Sequence, residues 1–150
     1  MPAGTACITF TSGTTGQPKG VVIEHRQLLN YTAQVSQALG LEQCRQVGLT
    51  STVAADLGNT ALFGALFNGA TLHVASDEQM QDASRFAAFV QQQAIDCLKI
   101  VPSHLAALLD GEQAHVPRTL ILGGEPIASA LLTRIARLRS DCRVFNHYGP

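Results

Sequence analysis

Thr11-Ser12-Gly13-Thr14-Thr15-Gly16-Gln17-Pro18-Lys19-Gly20 separates two short runs of strand formers, residues 6–10 and 21–24. Glycines at 13, 16 and 20 let backbone N–H groups approach an anion and permit positive φ. Thr11, Ser12, Thr14 and Thr15 add hydroxyl donors beside them, and Lys19 adds a compact positive charge suited to phosphate. The loop therefore reads as a polyphosphate cradle set between two strands. It is not a Walker A loop, which has the form G-x-x-x-x-G-K-[ST] and opens directly into a helix. Here Pro18 precedes the lysine, Gly20 follows it, and a strand comes next, so a helix dipole is not what grips the anion.

Beyond that loop the hydrophobic period alternates. Residues 25–39 carry Leu28, Leu29, Tyr31, Val35 and Leu39 on or near one face of a helix that Gly40 closes. Residues 46–51, 70–74, 96–101, 119–122 and 143–146 read as strands. Residues 60–67 and 128–139 read as helices, with a further helix from Asp82 or Ser84 to about residue 93 and another through residue 109 that Ser103 can cap. Strands and helices in alternation predict an α/β fold, a mainly parallel sheet flanked by helices on both faces. In such folds ligands gather at the carboxyl ends of the strands, where Asn146-His147-Tyr148-Gly149-Pro150 lies.

Composition narrows the class. Hydrophobic residues make up 46% of the 150, enough for a buried core. Charged residues reach only 14%, against about 25% in a typical soluble domain, which predicts that further protein covers part of this surface. A net charge of −1 without a basic cluster gives no argument for nucleic acid or an anionic membrane, and no apolar run approaches a membrane span. Cys7, Cys44, Cys97 and Cys142 form no C-x-x-C pair and read as reduced thiols, three of them in or beside apolar strand-like runs, which fits a cytoplasmic location.

The string at residues 11–20 closely resembles the phosphate-loop signature of the adenylate-forming, AMP-binding superfamily. Two later motifs follow in that superfamily's order. Gly123-Gly124-Glu125 resembles its adenine-side loop, and residues 146–150 resemble the start of its N-x-Y-G-P-T-E motif. A third, D-L-G-N-T-A-L-F-G-A-L-F-N-G-A-T-L-H-V from Asp56 to Val74, resembles the amino-acid-recognition segment of adenylation domains in nonribosomal peptide synthetases. It departs from the usual pattern at Ala55, where an aromatic is common, and at Gly58-Asn59.

The resemblance implies a fold and a division of labour. The chain would be a fragment of the large N-terminal domain, truncated at both ends and lacking the C-terminal lid domain, so that it would be inactive alone. Thr11, Ser12, Gly13, Thr14, Thr15, Gly16, Lys19 and Gly20 would hold ATP phosphates, with Thr11 and Lys19 stabilising charge during catalysis. Gly123, Gly124, Glu125, Asn146, His147, Tyr148 and Gly149 would hold the rest of the nucleotide. Magnesium would share the phosphate charge through residues outside this stretch. The substrate pocket would fall on Asp56, Leu57, Thr60, Lys99, Ile121, Gly123 and His147.

Within that pocket Asp56 would pair with an α-ammonium group, although an Asp there also suits a helix N-cap. Lys99 sits in the apolar run Cys97-Leu98-Lys99-Ile100-Val101, where an unpartnered cation is costly. A snorkelling strand-end lysine is the plain alternative. With His147 as a second donor, the set resembles pockets that select aspartate. The implied activity is ATP-dependent formation of an aminoacyl adenylate, then transfer to the phosphopantetheine thiol of a peptidyl carrier domain, with condensation domains in the same synthase. An acyl- or aryl-CoA synthetase and a non-catalytic nucleotide-binding module are the competing readings.

Overall fold

Among the residues that the computed structural model describes, 4–11, 16–52 and 56–147, the strands fall into two sheets. The first is an antiparallel ribbon of β1 (Thr5–Thr11) and β2 (Lys19–Glu24), in register with Thr11 opposite Lys19 and Ile8 opposite Val22. Its alternation sends Cys7, Thr9, Thr11, Val21 and Ile23 to one face. Ile8, Phe10 and Val22 go to the other, where Phe10 is 70% exposed.

Helix α1 (His25–Leu39) follows the ribbon at once. The side-chain oxygen of Gln27 accepts the Glu24 N–H at 2.8 Å, which closes its first turn. Gly40 ends it at φ 65°, returning its N–H to the last turn. A Cβ at Gly40 would be strained by that φ and would also displace the Arg143 guanidinium, which lies 2.6 Å from where it would stand. The buried stripe of α1 is Thr32, Val35, Ser36 and Leu39. Leu29 and Tyr31, expected on that face, are exposed instead. The helix packs mainly through its second half, and its first half faces a cavity.

The second sheet holds β3 (Gln46–Leu49), β4 (Thr71–Val74), β5 (Cys97–Ile100), β6 (Thr119–Leu122) and β7 (Arg143–Asn146), all parallel, in the order β4-β3-β5-β6-β7. On one face, α4 (Ala83–Gln92), α5 (Pro102–Leu108) and α6 (Ser129–Leu138) bury Phe86, Leu105 and Ile135 against Leu98, Ile100, Leu120 and Leu122. On the other, α1 and α2 (Asn59–Phe67) bury Val35, Leu39, Ala61 and Ala65 against Val47, Leu49, Cys97 and Ile121. The parallel sheet covered on both faces is as the sequence predicts. Cys44 and Cys97 lie buried on the α1–α2 side, where the neighbouring thiol and burial push the Cys97 thiol up. All four cysteines are free thiols, with Cys7 and Cys142 half-buried.

Three local expectations are corrected. Ser103 does not cap α5: Pro102 occupies its first turn and Val101 is the N-cap, since proline's fixed φ suits a helix start and its missing N–H needs no partner there. Asp56 does not cap α2; it opens a single 3₁₀ turn, Asp56–Gly58, and Gly58 is the N-cap. A short helix, α3 (Asp77–Gln81), lies in a stretch read as connection and is started by a Ser76–Gln79 capping box. The start of α4 is resolved in favour of Asp82, whose carboxylate accepts the Arg85 N–H at 2.8 Å. No helix among the described residues is long and apolar enough to cross a membrane.

Candidate active site

A cavity of about 1060 Å³ opens between the ribbon, the start of α1 and the carboxyl ends of β5, β6 and β7. That places it where parallel α/β sheets bind ligands. It slightly exceeds the usual range for one small-molecule site, roughly 300–1,000 Å³. One wall is the inner ribbon face with Cys7, Thr9, Thr11, Val21 and Ile23. The opposite wall carries Gly124, Glu125 and Pro126 after β6, and Asn146 and His147 at the end of β7. The floor holds Asp56, Leu57, Asn59 and Lys99, and α1 adds Gln27, Leu28 and Tyr31.

Lys99 organises the floor. It shares a strand face with Cys97, turned toward α1 and α2, and is only 7% exposed. Its Nζ donates to the Thr60 hydroxyl at 2.8 Å and bonds His147 Nδ1 at 3.2 Å. It forms no ion pair among the described residues. Burial pushes the Lys99 ammonium below the usual lysine range, and the Asp56 carboxylate opposes that shift. Burial first, and the Lys99 charge second, hold the His147 imidazole below its usual 6.5. A neutral imidazole accepting at Nδ1 from a charged lysine is consistent with both directions.

Two contacts close a ring around this pair. The Tyr31 hydroxyl lies 2.7 Å from Thr60 Oγ1, and the Tyr31 ring stacks on His147 with centroids 6.4 Å apart at 18°. Thr60 itself is buried, so its hydroxyl serves Lys99 and Tyr31 from behind the cavity wall. Gly123 is needed where β6 meets β7: His147 N–H donates to the Leu122 carbonyl at 2.7 Å, and a Cβ at 123 would overlap the His147 carbonyl oxygen.

The sequence-derived residues divide accordingly. Asp56, Leu57, Lys99 and His147 line the cavity, while Thr60, Ile121 and Gly123 lie behind it and shape it. Thr11, Gly124, Glu125 and Asn146 also line it. Lys19 and Gly20 stand in β2, Lys19 paired with Thr11 at the ribbon end and Gly20 with Phe10, and Gly16 has φ 82° in the loop between the strands. Ser12, Gly13, Thr14, Thr15, Tyr148 and Gly149 lie outside the described residues. Glu125 carries a structural duty as well, since its carboxylate accepts the Ser103 N–H at 3.1 Å and the Ser103 hydroxyl at 2.9 Å. Tyr31, outside the set to which the sequence points, also lines the cavity. Its phenol, on a helix face that otherwise reads as core, was the available signal, because a part-buried Tyr hydroxyl finds a partner. Among the described residues no group of three His, Cys, Asp or Glu could hold a metal ion.

Comparison with known proteins gives the family. The model of the family described as AMP-binding enzyme matches residues 2–150. The chain is 34% identical to surfactin synthase subunit 2 of Bacillus subtilis (strain 168) over 97% of its own length. It is 36% identical to tyrocidine synthase 2 of Brevibacillus parabrevis over 99%. It spans only 4% of the length of each of these relatives. Among solved structures it is similar to a four-domain nonribosomal peptide synthetase bound to AMP and glycine, with TM-score 0.79 and 26% identity, covering 95% of this chain and 10% of that one. A match across residues 2–150, on a fold with its cavity at the strand ends, places the chain in one family: it belongs to the AMP-binding enzymes.

Proposed function

We propose that this chain is part of the adenylation domain of a longer nonribosomal peptide synthetase, and that its cavity activates an α-amino acid, aspartate by preference. The substrate carboxylate attacks the α-phosphorus of ATP, pyrophosphate leaves, and an aminoacyl adenylate forms. A phosphopantetheine thiol of a carrier domain then attacks the adenylate's carbonyl, the acyl–phosphate bond breaks, AMP leaves and the aminoacyl group is held as a thioester. Thr11 and Lys19, paired across the ribbon end, suit the phosphate side of the cavity. Gly124, Glu125 and Asn146 suit the nucleoside side. Magnesium, when bound, supplies positive charge to the phosphate oxygens. Catalysis of such a displacement rests on positioning and charge stabilisation.

The observation that carries the choice of aspartate is the buried Lys99 ammonium, held by the neutral partners Thr60 and His147 and lining the cavity. A carboxylate on the substrate side chain would complete its coordination. Asp56, on the same floor and close enough to act on the Lys99 charge, would take the α-ammonium group. A neutral side chain would leave Lys99 without a counter-charge, a heavier penalty than the roughly 1.5–3 kcal/mol of one charge-assisted hydrogen bond.

The test is ATP–pyrophosphate exchange by the full synthetase across the twenty amino acids, with fatty and aryl acids alongside. Aspartate should give the strongest exchange, and Lys99→Glu should abolish it. Exchange with acyl or aryl acids alone would replace this reading by a CoA synthetase. An unchanged aspartate preference in Lys99→Glu would remove the pocket assignment.

A further inference from the structure

We infer that Tyr31 is a positioning residue for substrate selection, holding the Thr60 hydroxyl and the His147 ring so that Lys99 presents its ammonium to the acidic side chain of the amino acid. The inference rests on the reading of the cavity given above and extends it to a residue of α1.

The ground is a closed ring of four side chains from four separate elements. Lys99 on β5 bonds Thr60 on α2 at 2.8 Å, and Thr60 bonds Tyr31 on α1 at 2.7 Å. Tyr31 stacks on His147 beyond β7, and His147 returns to Lys99 at 3.2 Å. A lysine ammonium carries three N–H groups on a flexible stem. Thr60 and His147 engage two of them and leave one for a ligand in the cavity that Lys99 lines. Both partners can rotate by themselves, the threonine about its Cα–Cβ bond and the imidazole about its Cβ–Cγ bond. Tyr31 restrains the two at once, one through its hydroxyl and the other through its ring face. With Thr60 donating its hydroxyl hydrogen to Tyr31, the linked bonds polarise one another and the Thr60 oxygen becomes a stronger acceptor for Lys99. Among the described residues, the titratable groups facing Lys99 or the cavity beside it are Asp56 from the turn before α2, Tyr31 from α1, His147 after β7 and Cys7 from β1. Glu125 lines the same cavity but turns its carboxylate to Ser103.

Tyr31→Phe in the full synthetase tests this, because it deletes one oxygen and keeps the stacking ring. Two readouts are used: exchange kinetics, and the pH dependence of Lys99 acylation by acetic anhydride, followed by mass spectrometry. The variant should raise KM for aspartate about three- to tenfold, the size of one neutral hydrogen bond, with a smaller change in kcat. The Lys99 labelling midpoint should move to lower pH, and Thr60→Val should produce the same move and leave Tyr31→Phe nothing to add. A labelling midpoint that stays in place in Tyr31→Phe overturns the role of Tyr31, whichever amino acid the enzyme takes. A wild-type enzyme that activates some other amino acid, while the midpoint still shifts in Tyr31→Phe, sinks the aspartate reading alone and keeps Tyr31 in its place.

Discussion

Glu125 receives both the backbone N–H and the hydroxyl of Ser103, at 3.1 and 2.9 Å, and so ties the loop after β6 to the first turn of α5. Two bonds to one carboxylate fix the loop that forms the cavity wall proposed to hold the nucleoside. Glu125→Ala should therefore raise KM for ATP more than KM for the amino acid. It should cost about 1 kcal/mol of stability, discounted because both groups are exposed. Ser103→Ala should produce part of the same loss, and the double variant little beyond Glu125→Ala alone. Urea unfolding and exchange kinetics on the four proteins of that cycle would check this; full additivity would mean the pair is not coupled.

Lys99 sets stability against selectivity. Burial disfavours its charge, and its partners among the described residues are neutral. Lys99→Met keeps most of the stem's volume and removes the buried charge. The fold should gain about 1 kcal/mol, as is common when a buried charge gives way to an apolar side chain. Aspartate preference should be lost at the same time. A urea midpoint below wild type, with unchanged m, would show that the cation is better accommodated than its surroundings indicate.

The pH dependence has a definite sign. His147 titrates below 6.5 in the fold and near 6.5 when unfolded, so the unfolded chain binds more protons between those two values. Stability should therefore fall as pH drops below about 6.5, and His147→Gln should flatten that limb. Lys99 also titrates below its usual 10.5, so stability should rise with pH between its lowered pKa and that value. If the proposed pocket is right, aspartate affinity should run the other way and weaken as pH climbs through the lowered Lys99 pKa, as the ammonium proposed to bind the substrate loses its proton. Unfolding midpoints and aspartate KM across pH 5 to about 10 would separate the two groups.

At Gly123 the backbone itself is the filter. A Cβ there meets the His147 carbonyl oxygen, and both flanking strands are fixed in the parallel ladder. Gly123→Ala should force β6 and β7 apart locally, costing about 1–3 kcal/mol, or a Tm lower by roughly 2–10 °C. It should also loosen His147 from Lys99 and raise the aspartate KM. Gly124→Ala acts differently, through the strain of φ 87° and not through a clash, and should cost about 1 kcal/mol. Thermal unfolding and exchange kinetics of the two variants would tell overlap from strain.

Much of this architecture is legible in the chain. The 3.6-residue pattern with Gly40 beyond it sets α1 at His25–Leu39, and the short β-branched runs set β6 and β7 to the residue. α3 has a readable capping box but only five residues, too few to show a period. Ser103 misleads because a hydroxyl near a helix start looks like a cap, whereas Pro102 already supplies the start. The strand order and the separation of the ribbon are decided by which faces pack, information no local window contains. Tyr31 hides for a related reason. It falls close to the apolar stripe of α1, and only the arrival of α2 and β7 gives its hydroxyl and ring their partners.

The ring that joins Tyr31, Thr60, Lys99 and His147 bears on how this cavity can be redesigned. Lys99 and His147 stand at the ends of separate parallel strands, which would let each vary alone. Their mutual contacts forbid that independence. Replace only the lysine and an imidazole nitrogen and a threonine oxygen lose their donor; replace only the threonine and a buried cation loses its acceptor. Variants meant to remake the cavity should therefore exchange Tyr31, Thr60, Lys99 and His147 as a set, because each holds a partner of the next.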